Sequence, residues 1–137
     1  MFHSIDIKEG VTVYDYTRIF FASSVAMFDA RQCENLDLTA KFKCVDVLCN
    51  KSDAELNNVC QNLFPYLQND YEGIGEPRTK YLKLAQRDWI KFRDSSCDFE
   101  NPQGMGSGGE GFGVEYLTCQ LKMTVDRIDY LNRFLPE

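Results

Sequence analysis

Apolar residues recur along most of this chain at the three-and-four spacing of α-helices, and the period-two alternation of strands is scarce. The strongest run covers residues 78–96, where Leu82, Ala85, Trp89 and Phe92 define one apolar stripe. A second covers residues 114–135. It places Leu117, Leu121, Thr124, Ile128, Leu131 and Leu135 on a near-heptad seam that expects a partner helix, with the helix before it as the obvious antiparallel neighbour. Between them, residues 98–113 are rich in glycine and cannot hold regular structure cheaply. Further upstream, Ser52 with Glu55 three residues on reads as a capping box, followed by Leu56, Val59, Cys60 and Leu63 at helical spacing. Pro65 is expected to end or kink that helix, and residues 69–77 to form a turn-rich connection.

The first third is less regular. Residues 34–50 have no clean period, although Asp37 could head a short helix held by cysteines. Residues 17–33 predict a first helix with Thr17 as its N-cap, and residues 1–16 a short strand or extended arm around Gly10. Neither an internal repeat nor a domain boundary is visible in the 137 residues. The expected fold is therefore mainly α: one small helical bundle built on an antiparallel hairpin of residues 78–96 and 114–135.

Charge narrows the partners. Lys and Arg number 15 and Asp and Glu 21, a net charge of -6. Such a surface repels phosphate backbones and anionic membranes, and draws in basic partners at rates that fall with salt. Nucleic acid and membrane insertion are thus not expected. Residues 19–28 are apolar, but Asp29 and Arg31 cut the run too short for a membrane span. With Asp15 just upstream, a core helix is the expectation there, and no clear export signal is visible.

Six cysteines stand at 33, 44, 49, 60, 97 and 119. An even number in a short chain favours a disulfide framework in an exported protein, against the competing reading of six reduced, buried thiols in the cytosol. Zinc fits poorly, because no CxxC occurs and His3 is the only histidine. No metal and no cofactor are expected.

One set of residues carries a resemblance. Leu56 and Asn57 are followed by Gln86, Trp89, Arg93, Asp94 and Cys97, then by Cys119, Thr124 and Arg127 beyond the glycine-rich loop. This order over about residues 50–135 resembles the DUF1311 family, the lysozyme inhibitor LprI-like N-terminal domain. The resemblance implies a small helical domain of the bacterial envelope or a secreted one, hence periplasmic or extracellular. It also implies protein binding, with inhibition of lysozyme as the activity behind the family name.

Within that pattern Cys97 and Cys119 are the expected disulfide, tying two helices across one loop. In the chain-entropy account such a closure stabilises by roughly 3 kcal/mol. Cys33, Cys44, Cys49 and Cys60 allow three pairings, among which the sequence does not choose. Gln86, Trp89, Arg93, Asp94, Thr124 and Arg127 are expected to be structural. Trp89 is a core anchor, Arg93 can stack on its ring, and Arg127 can reach Asp94 or Asp88 from the facing helix.

Gly106, Gly108 and Gly111 spell a GxGxxG, but they follow a helix rather than a strand, so a dinucleotide site is not expected. The loop is instead a candidate partner-binding tip, with Gly106, Gly108 and Gly109 as its glycines and Glu110 and Phe112 as charged and apolar contacts. Nothing places two carboxylates with a nucleophile, so an enzyme is not expected. The leading expectation is an envelope or secreted protein that binds another protein, a cationic lysozyme being the first partner to test. The alternative is an immunity or adaptor module for a different partner.

Overall fold

A computed structural model describes residues 27–104 and 109–136. Among these the fold is mainly helical. A 3-10 helix, Ala30–Cys33, precedes three α-helices: α1 (Leu38–Asn69), α2 (Arg78–Glu100) and α3 (Glu110–Asn132). The predicted arm over 1–16 and the predicted helix over residues 17–26 lie outside the described residues. Residues 28–33 are not α-helical. Asp29 caps the 3-10 helix, its carboxylate accepting from the Arg31 backbone N–H at 2.9 Å and from the Arg31 side chain at 2.8 and 2.6 Å.

Helix α1 corrects the reading of residues 34–69 as two short helices. Asp37 caps it by accepting from the Ala40 N–H at 2.9 Å, and the helix then runs for 32 residues. Its buried positions include Val45, Leu48, Cys49, Ser52, Leu56, Val59, Leu63 and Leu67, one unbroken stripe. Ser52 is therefore not an N-cap. It is fully buried on that stripe and donates its hydroxyl to the Cys49 carbonyl at 2.9 Å, a bond made within the helix. Pro65 lies inside the helix, which carries on to Asn69. So close to the end, the N–H it lacks costs the helix one bond and does not stop it.

The pairings between helices define their directions. Thr39 meets Glu110 and Cys49 meets Leu117, so α1 and α3 run parallel. Arg93 meets Thr124 while Gln86 meets Arg127, so α2 runs antiparallel to α3. The apolar core belongs mostly to α1 and α3, which share the largest interface, and Phe28 and Cys33 close one end of it. The seam on α3 is buried as expected, but its main partner is α1 and not the preceding helix.

The reason lies in α2. Its buried positions are Thr79, Leu82, Gln86, Arg93 and Cys97, of which three are polar or charged. Of the apolar stripe read there, Leu82 is buried and Trp89 partly so, whereas Ala85 is exposed and Phe92 is 63% exposed. Hydropathy thus pointed to a neighbouring face, and α2 is joined to the bundle by polar contacts and a covalent bond.

That bond is Cys97–Cys119, with Cα atoms 5.7 Å apart, and a second links Cys33 to Cys44 at 5.8 Å. The remaining two cysteines, Cys49 and Cys60, stay thiols. Eleven positions along one helix separate them by roughly 16 Å, far beyond the ~7 Å that a disulfide can span. Burial pushes both thiols up to about 12, so neither forms a thiolate near neutrality. The oxidised protein is expected to yield its two thiols to a disulfide-exchange reagent at pH 8 only as fast as it unfolds, and both promptly in denaturant. A rapid reaction of the native protein would contradict this burial.

Candidate functional site

Among the described residues, Arg93 is the largest fully buried side chain and the only charged residue at zero exposure. Its Nε donates to Asp94 Oδ1 at 3.0 Å, and its Nη1 donates to the Thr124 hydroxyl at 3.4 Å. Thr124 in turn donates to the Gln120 carbonyl at 2.9 Å. Gln120 Nε2 returns to Asp94 Oδ1 at 3.0 Å and also meets the Tyr116 hydroxyl at 3.1 Å. The guanidinium lies 5.2 Å from the Trp89 ring centroid, as its position one turn after the tryptophan predicts. From α1, Asp53 Oδ1 approaches Nη1 to 3.6 Å, a Coulombic contact longer than a hydrogen bond.

Arg127 goes elsewhere than expected. It reaches neither Asp94, which Arg93 and Gln120 occupy, nor Asp88, which is exposed. Its Nε donates to Gln86 Oε1 at 2.6 Å, and its guanidinium faces Trp89 at 5.8 Å and Tyr130 at 5.2 Å. Trp89 is therefore flanked by two arginines from two helices. Gln86, Trp89, Arg93, Asp94, Thr124 and Arg127 do come together, in one layer between α2 and α3. Sequence reasoning missed Gln120 and Asp53 as members. Gln120 carried a faint signal, a polar residue one turn before Thr124, while Asp53 was absorbed into a capping box that does not exist.

The other end of the α2–α3 hairpin carries the candidate loop. Gly106 and Gly108 lie outside the described residues. Gly109 precedes α3 with φ +80°, a conformation that favours glycine. Glu110 accepts from the Thr39 hydroxyl at 2.8 Å, which ties the start of α3 to the start of α1. Phe112 is 42% exposed, and Phe99, not singled out from sequence, is 85% exposed at the end of α2. Asp98, Glu100, Glu110 and Glu115 are exposed on the same two helix ends. The Cys97–Cys119 bond holds both helix ends in register behind them.

Residues 33–131 match the family of the lysozyme inhibitor LprI. The chain belongs to that family. Neither a curated protein nor a solved structure matches it. The LprI match starts at Cys33 and so takes in the Cys33–Cys44 bridge and all of α1, which the resemblance over residues 50–135 did not. It also covers every member of the Arg93 layer. Among the described residues no helix is long and apolar enough to cross a membrane, and no cluster of three metal-ligating side chains occurs.

The Arg93 layer gives this LprI-family chain a pH dependence. Burial raises the Asp53 carboxyl to about 6, with the Arg93 charge opposing. The folded protein thus holds this proton more tightly than the unfolded chain, whose aspartates titrate near 3.9. Between about pH 4 and 6 the native state binds more protons, so the Asp53 contribution to stability falls as pH rises through that window. In Asp53→Asn this slope is absent. Its unfolding free energy relative to the wild type is expected to rise from pH 4 to pH 6 in urea titrations; parallel curves would place the proton elsewhere.

Proposed function

We propose that this protein works outside the cytosol, in the bacterial envelope or secreted, and inhibits a cationic lysozyme by direct contact. The contact surface in this reading is the tip formed by the end of α2 and the start of α3. One observation carries it: a disulfide-pinned pair of helix ends exposes Phe99 and Phe112 together with four carboxylates. Exposed aromatic side chains ringed by charge are the usual composition of a docking surface, apolar rings supplying desolvation and the rim steering. The net charge of -6 favours a basic partner. The two disulfides support an oxidising compartment.

Inhibition here needs no chemistry from the chain, only occupation of the partner's cleft. Glu110 is a rim charge already oriented by Thr39, and Phe112, two residues further on, is the exposed apolar contact. The test is lysis of a peptidoglycan suspension by a cationic c-type lysozyme, with and without the oxidised protein. The expected outcome is dose-dependent protection that weakens as salt rises. Phe99→Ala with Phe112→Ala is expected to raise the inhibitory concentration roughly thirtyfold, the effect of losing about 2 kcal/mol at an interface centre. No protection at a large molar excess would reject lysozyme as the partner, and full potency of the double variant would move the contact away from the tip.

A further inference from the structure

The opposite end of the bundle holds a second feature, unrelated to the tip. The start of α2 and the ends of α3 and α1 enclose a groove of about 240 Å³. Leucines from all three helices form its floor, and Tyr81, Tyr130 and Phe134 its aromatic walls. Arg78 and Arg127 also line it, and no carboxylate does. In a chain of net charge -6, a cavity with two guanidiniums and no acid runs against the overall charge.

Each cation is held by the walls more than by an anion. Arg127 lies over Tyr130 at 5.2 Å and Arg78 over Phe134 at 5.7 Å, while the two rings meet edge to face at 5.3 Å. Arg127 spends its Nε on the neutral Gln86 and has no carboxylate within ion-pair distance among the described residues. Burial disfavours its charged form, the direction expected of a guanidinium without a counter-ion. Among the described residues Arg78 pairs only with Asp70, at 3.9 Å, with both side chains more than half exposed. Such a pair is weak and readily exchanged for a better acceptor. Arg127 therefore leaves a planar fork of donors matched to a carboxylate, beside an apolar slot.

We infer that this groove is a binding site for a small organic carboxylate carrying one apolar ring, the carboxylate taken by Arg127 with help from Arg78 and the ring by Tyr81, Tyr130 and Phe134. Size sets the limit. The volume falls below the ~300–1,000 Å³ of sites for drug-sized ligands, and equals about eight waters at ~30 Å³ each. A single ring with a one-carbon acid arm fits that space. Tyr81 and Phe99 are separated by roughly 27 Å of helix, so occupancy here is independent of docking at the tip.

The protein contains its own reporter. Trp89 is the only tryptophan, and its ring lies 5.8 Å from the Arg127 guanidinium. Titrating phenylacetate into the oxidised protein is expected to change Trp89 emission saturably, with a Kd on the order of 1 mM, and to raise the melting temperature in parallel. Phenylacetamide, the same shape without charge, and phenethylamine, of opposite charge, are expected to do neither. Arg127→Gln is expected to weaken binding at least tenfold. Because Arg127 also braces Gln86, Arg78→Gln serves as the second variant, with a loss of severalfold and an unchanged melting temperature in the absence of ligand. A response that is linear in concentration, equal for phenylacetamide, or unaltered in both variants would overturn the assignment.

Discussion

Arg93 is a full charge at zero exposure, and the position of α2 follows from the need to satisfy it. A buried guanidinium is tolerable only when acceptors surround it; removing one partner of such a group typically costs about 3–5 kcal/mol. Its partners come from three directions: Asp94 on its own helix and Thr124 on α3 accept hydrogen bonds, and Asp53 on α1 brings a carboxylate to 3.6 Å. Any rotation or slide of α2 would break at least one of these while burying nothing apolar in return, because the inner face of α2 offers little beyond Leu82. The α1–α3 pair is held by ordinary close packing, which tolerates small readjustments. The third helix is held by directional bonds that specify one register.

This division explains what could be read from the sequence. Helical class, the α3 seam, the boundaries of α2 to within one turn and the stacking of Arg93 on Trp89 follow from periodicity and spacing, which are local properties. The errors share one cause. A buried polar residue looks, in sequence, like a surface residue or a cap. Ser52 broke the apparent stripe of α1 into two helices although it sits in the middle of that stripe with its hydroxyl bonded one turn back. Gln86 and Arg93 hid the inner face of α2, so the visible stripe through Ala85 and Phe92 was its flank. Arg127 was assigned an aspartate because charge suggests charge, whereas its partner is an amide and two rings. The partners that bury Arg93 and hold Arg127 include Thr124 and Gln86, 31 and 41 residues away and beyond the reach of any local pattern.

The two ends of the molecule have opposite chemical characters. At the tip, exposed phenylalanines stand among carboxylates; at the far end, tyrosines and a phenylalanine stand among arginines. Between them lies the polar layer around Arg93, whose guanidinium is fully buried. A bundle of this size therefore separates its surfaces by helix length alone, with the stiff α2–α3 pair keeping them apart. The buried thiols of Cys49 and Cys60 are kept protonated by burial, and they fill space as small hydrophobes do.

The Cys97–Cys119 bridge also decides what happens when the backbone is cut. Both helix ends that form the tip lie on the same side of that bond as the connection joining them. A protease that hydrolyses any peptide bond between those two cysteines opens the loop but releases no fragment, since α2 and α3 remain one covalent molecule. Of the segment between the two cysteines, Leu117 belongs to the α1–α3 core with Val114 packed against it, while the rest of that core and Arg93 with its hydrogen-bond partners lie outside it. A partner that attacks the tip would thus meet a nicked chain whose two new ends are still presented together, and only the combination of cleavage with reduction would separate them.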